Sequence, residues 1–163
     1  MKTILFTLSL AFLFSSCIKA PDFPNTPEIT FVSLNTNTIQ QGNSNAQEAI
    51  LEVVFSFTDG DADIGSDEES NVFLTDSRNG ETIPFKVNPI PEQGNGNGIQ
   101  GEITVRIINT PFNICCVYPN GVSPCTPSTE FPTNTMHYTI QLKDRAGNES
   151  NIVQTEDITI LCQ

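Results

Sequence analysis

Leu51, Val53, Phe55 and Phe57 are apolar at every second position, and Glu52, Val54, Ser56 and Thr58 stand between them. A period of two sends alternate side chains to opposite faces of an extended chain, so this run predicts a core strand with one mostly apolar face. The pattern recurs. Ile29 to Leu34 begins the series; Ile103, Val105 and Ile107 alternate with Thr104, Arg106 and Ile108; Tyr138, Ile140 and Leu142 alternate with His137, Thr139, Gln141 and Lys143. Ile152 to Leu161 closes it, with Ile158 and Ile160 on one face. Val72 to Thr75 and Thr82 to Val87 flank Asp76-Ser77-Arg78-Asn79-Gly80, where Asn-Gly supplies the positive φ angles of a tight turn, so these two strands are expected to pair directly. The Gly94 to Gly98 run is too polar and flexible for a strand interior. Helical periodicity is missing, and about seven short strands between turn-rich segments predict an all-β, antiparallel β-sandwich.

Between the fifth and sixth expected strands lies Asn109 to Asn134, with five prolines and three cysteines. A structureless insert of that length is unusual in a compact domain, and disulfides are expected to hold it in shape. Four cysteines besides Cys17 are present, Cys115, Cys116, Cys125 and Cys162, which permit two bridges in three pairings. Zinc is the alternative, but adjacent cysteines lack the usual spacing of a zinc loop and the single His137 sits elsewhere. Neighbours in an extended segment point to opposite sides. Cys115 and Cys116 are therefore expected to have different partners, one being Cys125 and the other Cys162, with a vicinal bridge as the competing arrangement. Phe112, Tyr118 and Phe131 in the same insert read equally as a protein-binding patch or as its private small core.

A net charge of −12 argues against nucleic acid as a partner, because binding a polyanion requires a basic face. Six acids, Asp59, Asp61, Asp63, Asp67, Glu68 and Glu69, fall within eleven residues that hold no Lys or Arg. Asp59, Asp61 and Asp63 have the alternate spacing of calcium loops, whose side chains converge as the backbone curls. The EF-hand match fails, since Ile64 occupies the glycine position and Ser70 replaces the final bidentate Glu. A calcium loop of another kind competes with a merely solvated acidic loop in which Arg145 pairs one carboxylate. Catalysis is not expected: no nucleophile elbow, phosphate loop or Ser-His-Asp set can be assembled, and His137 falls on the polar face of its strand. With no Trp and only Tyr118 and Tyr138 beside the phenylalanines, a sugar-stacking platform is disfavoured.

Lys2 precedes an apolar run from Ile4 to Phe14 that is too short to span a bilayer, and Phe14-Ser15-Ser16-Cys17 closes it. This segment resembles the lipobox of bacterial lipoproteins. The resemblance implies a signal peptide over residues 1–16, with Cys17 lipidated and made the new N-terminus, and membrane attachment through acyl chains, not a transmembrane helix. Residues 17–28 contain Pro21, Pro24 and Pro27 and read as a tether, leaving 29–163 as one domain. Ile18 in place of Asp after the cysteine implies, by resemblance to Gram-negative sorting, the outer membrane. Phe57 to Gly65 and Tyr138 to Ser150 resemble uncharacterised Bacteroidota lipoproteins with an immunoglobulin-like domain. On that topology the strands ending at Phe57 and Lys143 open into loops at one pole, which brings Asp144 beside Asp59, Asp61 and Asp63 as calcium ligands. Tyr138 is there a candidate tyrosine corner, alongside an ordinary core role. The expected function is a non-catalytic binding or structural accessory module of the cell envelope. The alternative is a glycan- or nutrient-capture component of an outer-membrane uptake complex, with an envelope protein or glycan as partner.

Overall fold

The computed structural model describes residues 22–42, 47–91, 98–111, 113–119 and 121–163. The expected signal segment, Cys17, the tether as far as Pro21, most of the Gly94 to Gly98 run, and Phe112 lie outside the described residues. Among the described residues the fold is all-β, with no helix.

The described strands are β1 (Glu28–Leu34), β2 (Thr38–Gln40), β3 (Ile50–Asp59), β4 (Val72–Asp76), β5 (Thr82–Phe85), β6 (Ile99–Ile108), β7 (Thr133–Met136), β8 (Tyr138–Leu142), β9 (Val153–Gln154) and β10 (Ile158–Leu161). That is ten where the sequence suggests about seven, and each addition has a local cause. β2 and β7 are too short to display a period, and β7 begins at the end of the segment expected to be a structureless insert. The expected strand from Ile152 to Leu161 divides at Thr155, which is buried and turned inward. Its hydroxyl accepts the Tyr138 N–H at 3.1 Å and its own N–H donates to the Tyr138 carbonyl at 2.9 Å.

β3 is the central strand of the sheet β1-β3-β6, antiparallel on both sides, and pairs with β6 from Ile50↔Ile108 to Asp59↔Ile99. A second sheet has the order β5-β4-β8-β9. A third, β2-β10-β7, holds β2 parallel to β10. β7 and β8 follow one another with only His137 between them, so the chain passes directly from the third sheet into the second. β4 and β5 pair directly, as their turn residues suggest. Gly80 takes the positive φ of 73° there, while Asn79 does not share it.

One hydrophobic core joins the sheets. Val53 and Phe55 of β3, Leu74 of β4, Ile140 and Leu142 of β8 and Ile160 of β10 are all fully inaccessible to solvent. Burying each such side chain contributes about 1.5–3 kcal/mol, which makes the inward row of β3 the main anchor of the fold. That row does not stop at Phe57. Strand phase carries Asp59 inward as its last member, and Asp59 is 0% exposed.

The cysteine-rich segment lies at the Ile50 end of β3. Cys115 bonds Cys125 and Cys116 bonds Cys162, with Cα atoms 4.6 and 5.8 Å apart, so the adjacent cysteines do take different partners. Buried Gln41 accepts the Cys116 N–H at 3.1 Å, and buried Asn109 accepts the Ala49 N–H at 2.7 Å while donating to the carbonyls of Gln40 and Gln47. Tyr118 is buried, donates its hydroxyl to the Thr126 carbonyl and lies 6.0 Å from the Phe131 ring. Tyr118 belongs to the common hydrophobic core and Phe131 packs against it, so they form neither an exposed patch nor a private core. Tyr138 is likewise a buried core side chain, and burial pushes its hydroxyl pKa up.

Candidate metal centre

At its other end β3 runs into Asp59, and the chain must leave the sheet without its ladder bonds. It does so by curling. Ala62 takes a φ of 60°, a left-handed conformation uncommon for a residue with a Cβ. The curl folds the Asp63 N–H back onto Asp59 Oδ2, at 2.9 Å. β8 ends at Leu142 in the neighbouring sheet, and the loop after it places Asp144 opposite. Asp144 is oriented by Asn148, whose backbone N–H reaches Oδ1 at 2.7 Å and whose side-chain amide reaches Oδ2 at 2.7 Å. Two bonds from the second loop engage Asp63: the Ala146 N–H donates to its Oδ2 at 2.9 Å, and the Arg145 N–H to its carbonyl at 3.2 Å.

The result is a convergence of Asp59, Asp61, Asp63 and Asp144, each offering a carboxylate oxygen within 4.8 Å of the others. Asp59 and Asp144 are buried, Asp63 is partly buried and Asp61 is exposed. This group can hold a metal ion. Two of its oxygens, Asp59 Oδ1 and Asp63 Oδ1, are buried and accept no hydrogen bond. A carboxylate only accepts, so each of these oxygens is open to a donor or cation from outside the protein: a water, a proton or a metal ion.

The electrostatics follow from this. Burial pushes the Asp59 carboxyl up to about 6; the Asp63 N–H opposes that rise and the nearby charges of Asp61, Asp63 and Asp144 add to it. Burial also raises Asp63, reinforced by Asp144 and Asp61 and countered by the Ala146 N–H and Arg145. Arg145 does not neutralise the group through an ion pair. Its guanidinium donates instead to the carbonyls of Ile64 and Gly65, at 3.3 and 3.0 Å. The ion pairs among the described residues, Arg78–Asp76 and Arg106–Glu52, and the His137–Asp157 contact all lie outside the cluster.

The donor set is all carboxylate oxygen, which suits a hard cation and not zinc.

Asp67, Glu68 and Glu69 do not join the group. They are exposed, and the Ser66 hydroxyl caps the backbone of the latter two, accepting their N–H groups at 3.2 and 3.0 Å. Two supporting residues escape a reading by spacing. Asn148 carries no ligand signal of its own. Ala62 has no sequence feature to mark its left-handed turn, but the inward phase of Asp59 is visible by extending the period of β3 one step.

Comparison of the chain with protein-family models, curated proteins and solved structures gave no match. No helix among the described residues is long and apolar enough to cross a membrane.

Proposed function

We propose that this chain is a non-catalytic binding or structural accessory module of the cell envelope, an immunoglobulin-like β-sandwich with a calcium-holding pole and a lipid anchor at Cys17. The observation that carries the calcium reading is the buried, donorless Oδ1 of Asp59 facing three further carboxylates. The cation would stiffen two loops, with the weak affinity of extracellular modules, on the order of 10⁻⁴ to 10⁻³ M.

The immunoglobulin-like reading is supported by β2 lying parallel to the last strand while β1, β3 and β6 form a separate sheet over a shared core. A structural role is favoured over glycan capture by the surface. The exposed large apolar side chains among the described residues are Val32, Ile108, Val117, Val122 and Ile152, none of them an aromatic on which a sugar stacks. A shallow cleft of about 470 Å³ beside Asp144 is lined by acids, Lys143 and Arg145, with no histidine or cysteine. The anchor rests on the lipobox resemblance, and two disulfides are consistent with an oxidising compartment.

Two measurements test this reading. Titration calorimetry should register calcium binding that Asp61→Asn abolishes, and a flat titration of the unaltered protein overturns the metal centre. Cys17→Ala should move the protein from the membrane to the soluble fraction; unchanged fractionation and unchanged mass overturn the anchor.

A further inference from the structure

Both acid-bearing loops also hold the segment through which the chain leads into the fold. Gly60 stands between Asp59 and Asp61 and donates its N–H to the Pro24 carbonyl at 2.7 Å. The approach is too close for any side chain, because a Cβ on Gly60 would overlap the backbone of Phe23 and Pro24. From the other loop, Asn151 grips Ile29 twice: its Oδ1 accepts the Ile29 N–H and its Nδ2 donates to the Ile29 carbonyl, each at 2.8 Å. Pro27, between those two attachments, is buried.

On its far side the Asp59-Gly60 backbone meets the start of β6. A Cβ on Gly98 would overlap the Asp59 carbonyl oxygen and crowd the Gly60 Cα, so no slack exists there. Displacement of the acidic loop therefore cannot be absorbed toward β6. It is passed to the lead-in segment.

We infer that the acidic pole is a cation-operated clasp: a divalent cation held by Asp59, Asp61, Asp63 and Asp144 locks residues 22–27, which lead into β1, onto the domain, and its loss releases them. The inference rests on the metal-centre reading above and adds what that centre controls. Without a cation, like charges work against the bonds by which Ala146 and Arg145 hold Asp63 and loosen the two loops, and Gly60 and Asn151 lie in or next to those loops. With the cation bound, both attachments are fixed. The coupling is reciprocal, so tension on the lead-in segment weakens cation binding. Release of Asp22 to Pro27 as extended chain adds about 3 Å of reach per residue. The cation would thus set how far the domain stands from whatever precedes it.

Amide relaxation and hydrogen exchange on the ¹⁵N-labelled full chain test the clasp in millimolar calcium and in chelator. Calcium should raise the order parameters of Phe23, Asn25 and Thr26 from below about 0.6 to about 0.85, and slow Ile29 exchange by about tenfold or more. Asn151→Ala and Gly60→Ala should each lower calcium affinity several-fold and leave the segment mobile in calcium; if the second fails to fold, the first carries the test. Calcium binding by calorimetry with unchanged order parameters and unchanged Ile29 exchange overturns the clasp and leaves the metal centre standing. Absence of binding heat overturns the metal centre and the clasp with it.

Discussion

The Ile50 end of β3 meets the cysteine-rich segment and the Asp59 end meets the acidic loops, about 30 Å away along a ten-residue strand. Both ends bury polar side chains where strands give way to irregular chain. At the first, the buried groups are the neutral amides of Gln41 and Asn109, which donate and accept, and backbone groups satisfy them. Two disulfides close that end covalently. At the second, the buried groups are carboxylates, and the donors supplied by Asp63, Ala146 and Asn148 leave two oxygens unmet. One end is complete in itself. The other leaves two oxygens open to a ligand.

Removing the Cys116–Cys162 bridge by paired serine substitution should have the largest effect, a loss of about 2–5 kcal/mol in denaturant unfolding. The calcium-induced rise in melting temperature should survive, because sites this far apart act independently. Loss of that rise would break the contrast between the two ends.

Asp59→Asn should act with opposite signs in two conditions. In chelator it should raise the melting temperature by a few degrees by removing a buried charge, and in calcium it should abolish the cation-induced rise. The pH dependence sharpens the same point. With its carboxyl pushed up to about 6, folded Asp59 keeps a proton that the unfolded chain has given up near its ordinary value of 3.8. Its contribution to the cation-free protein is therefore complete below that ordinary value and is lost as pH rises through about 6. In chelator the protein should melt higher at pH 4.5 than at pH 7 relative to the Asn variant. In saturating calcium that ordering should reverse, because the ion requires deprotonated oxygens. Calorimetric scans at both pH values read all four conditions.

The smallest effect is expected of Ala62→Gly, which relieves the left-handed strain and should stabilise the chelated protein by about 0.5–1 kcal/mol. A loss of stability would mean that the buried Ala62 methyl outweighs the strain.

The strands with a clear period, β3, β4, β6 and β8, are legible because one buried face imposes alternation on the side chains. β2 and β7 are not, since three or four residues carry no period and long-range pairing with β10 makes them strands. Asp59, Asp61 and Asp63 were visible as a spacing, and Asp144 through the resemblance to an immunoglobulin-like topology. Asp67, Glu68 and Glu69 had the same composition and stayed outside, because they follow the curl at Ala62 and face solvent. Pro24 read as tether, yet its carbonyl is bonded to Gly60.

By itself, the sequence determined an all-β chain, four cysteines placed for two bridges, and an excess of carboxylates with no basic residue among them. These are local or compositional properties, written in period, residue type and charge. Tertiary structure alone decided that two loops 81 residues apart share one set of oxygens, that Arg145 turns to backbone carbonyls in place of a carboxylate, and that Asp59 Oδ1 is left without a donor. Whether a buried acid finds its donors within the protein depends on which groups reach it across space, and distance along the chain carries no information about that.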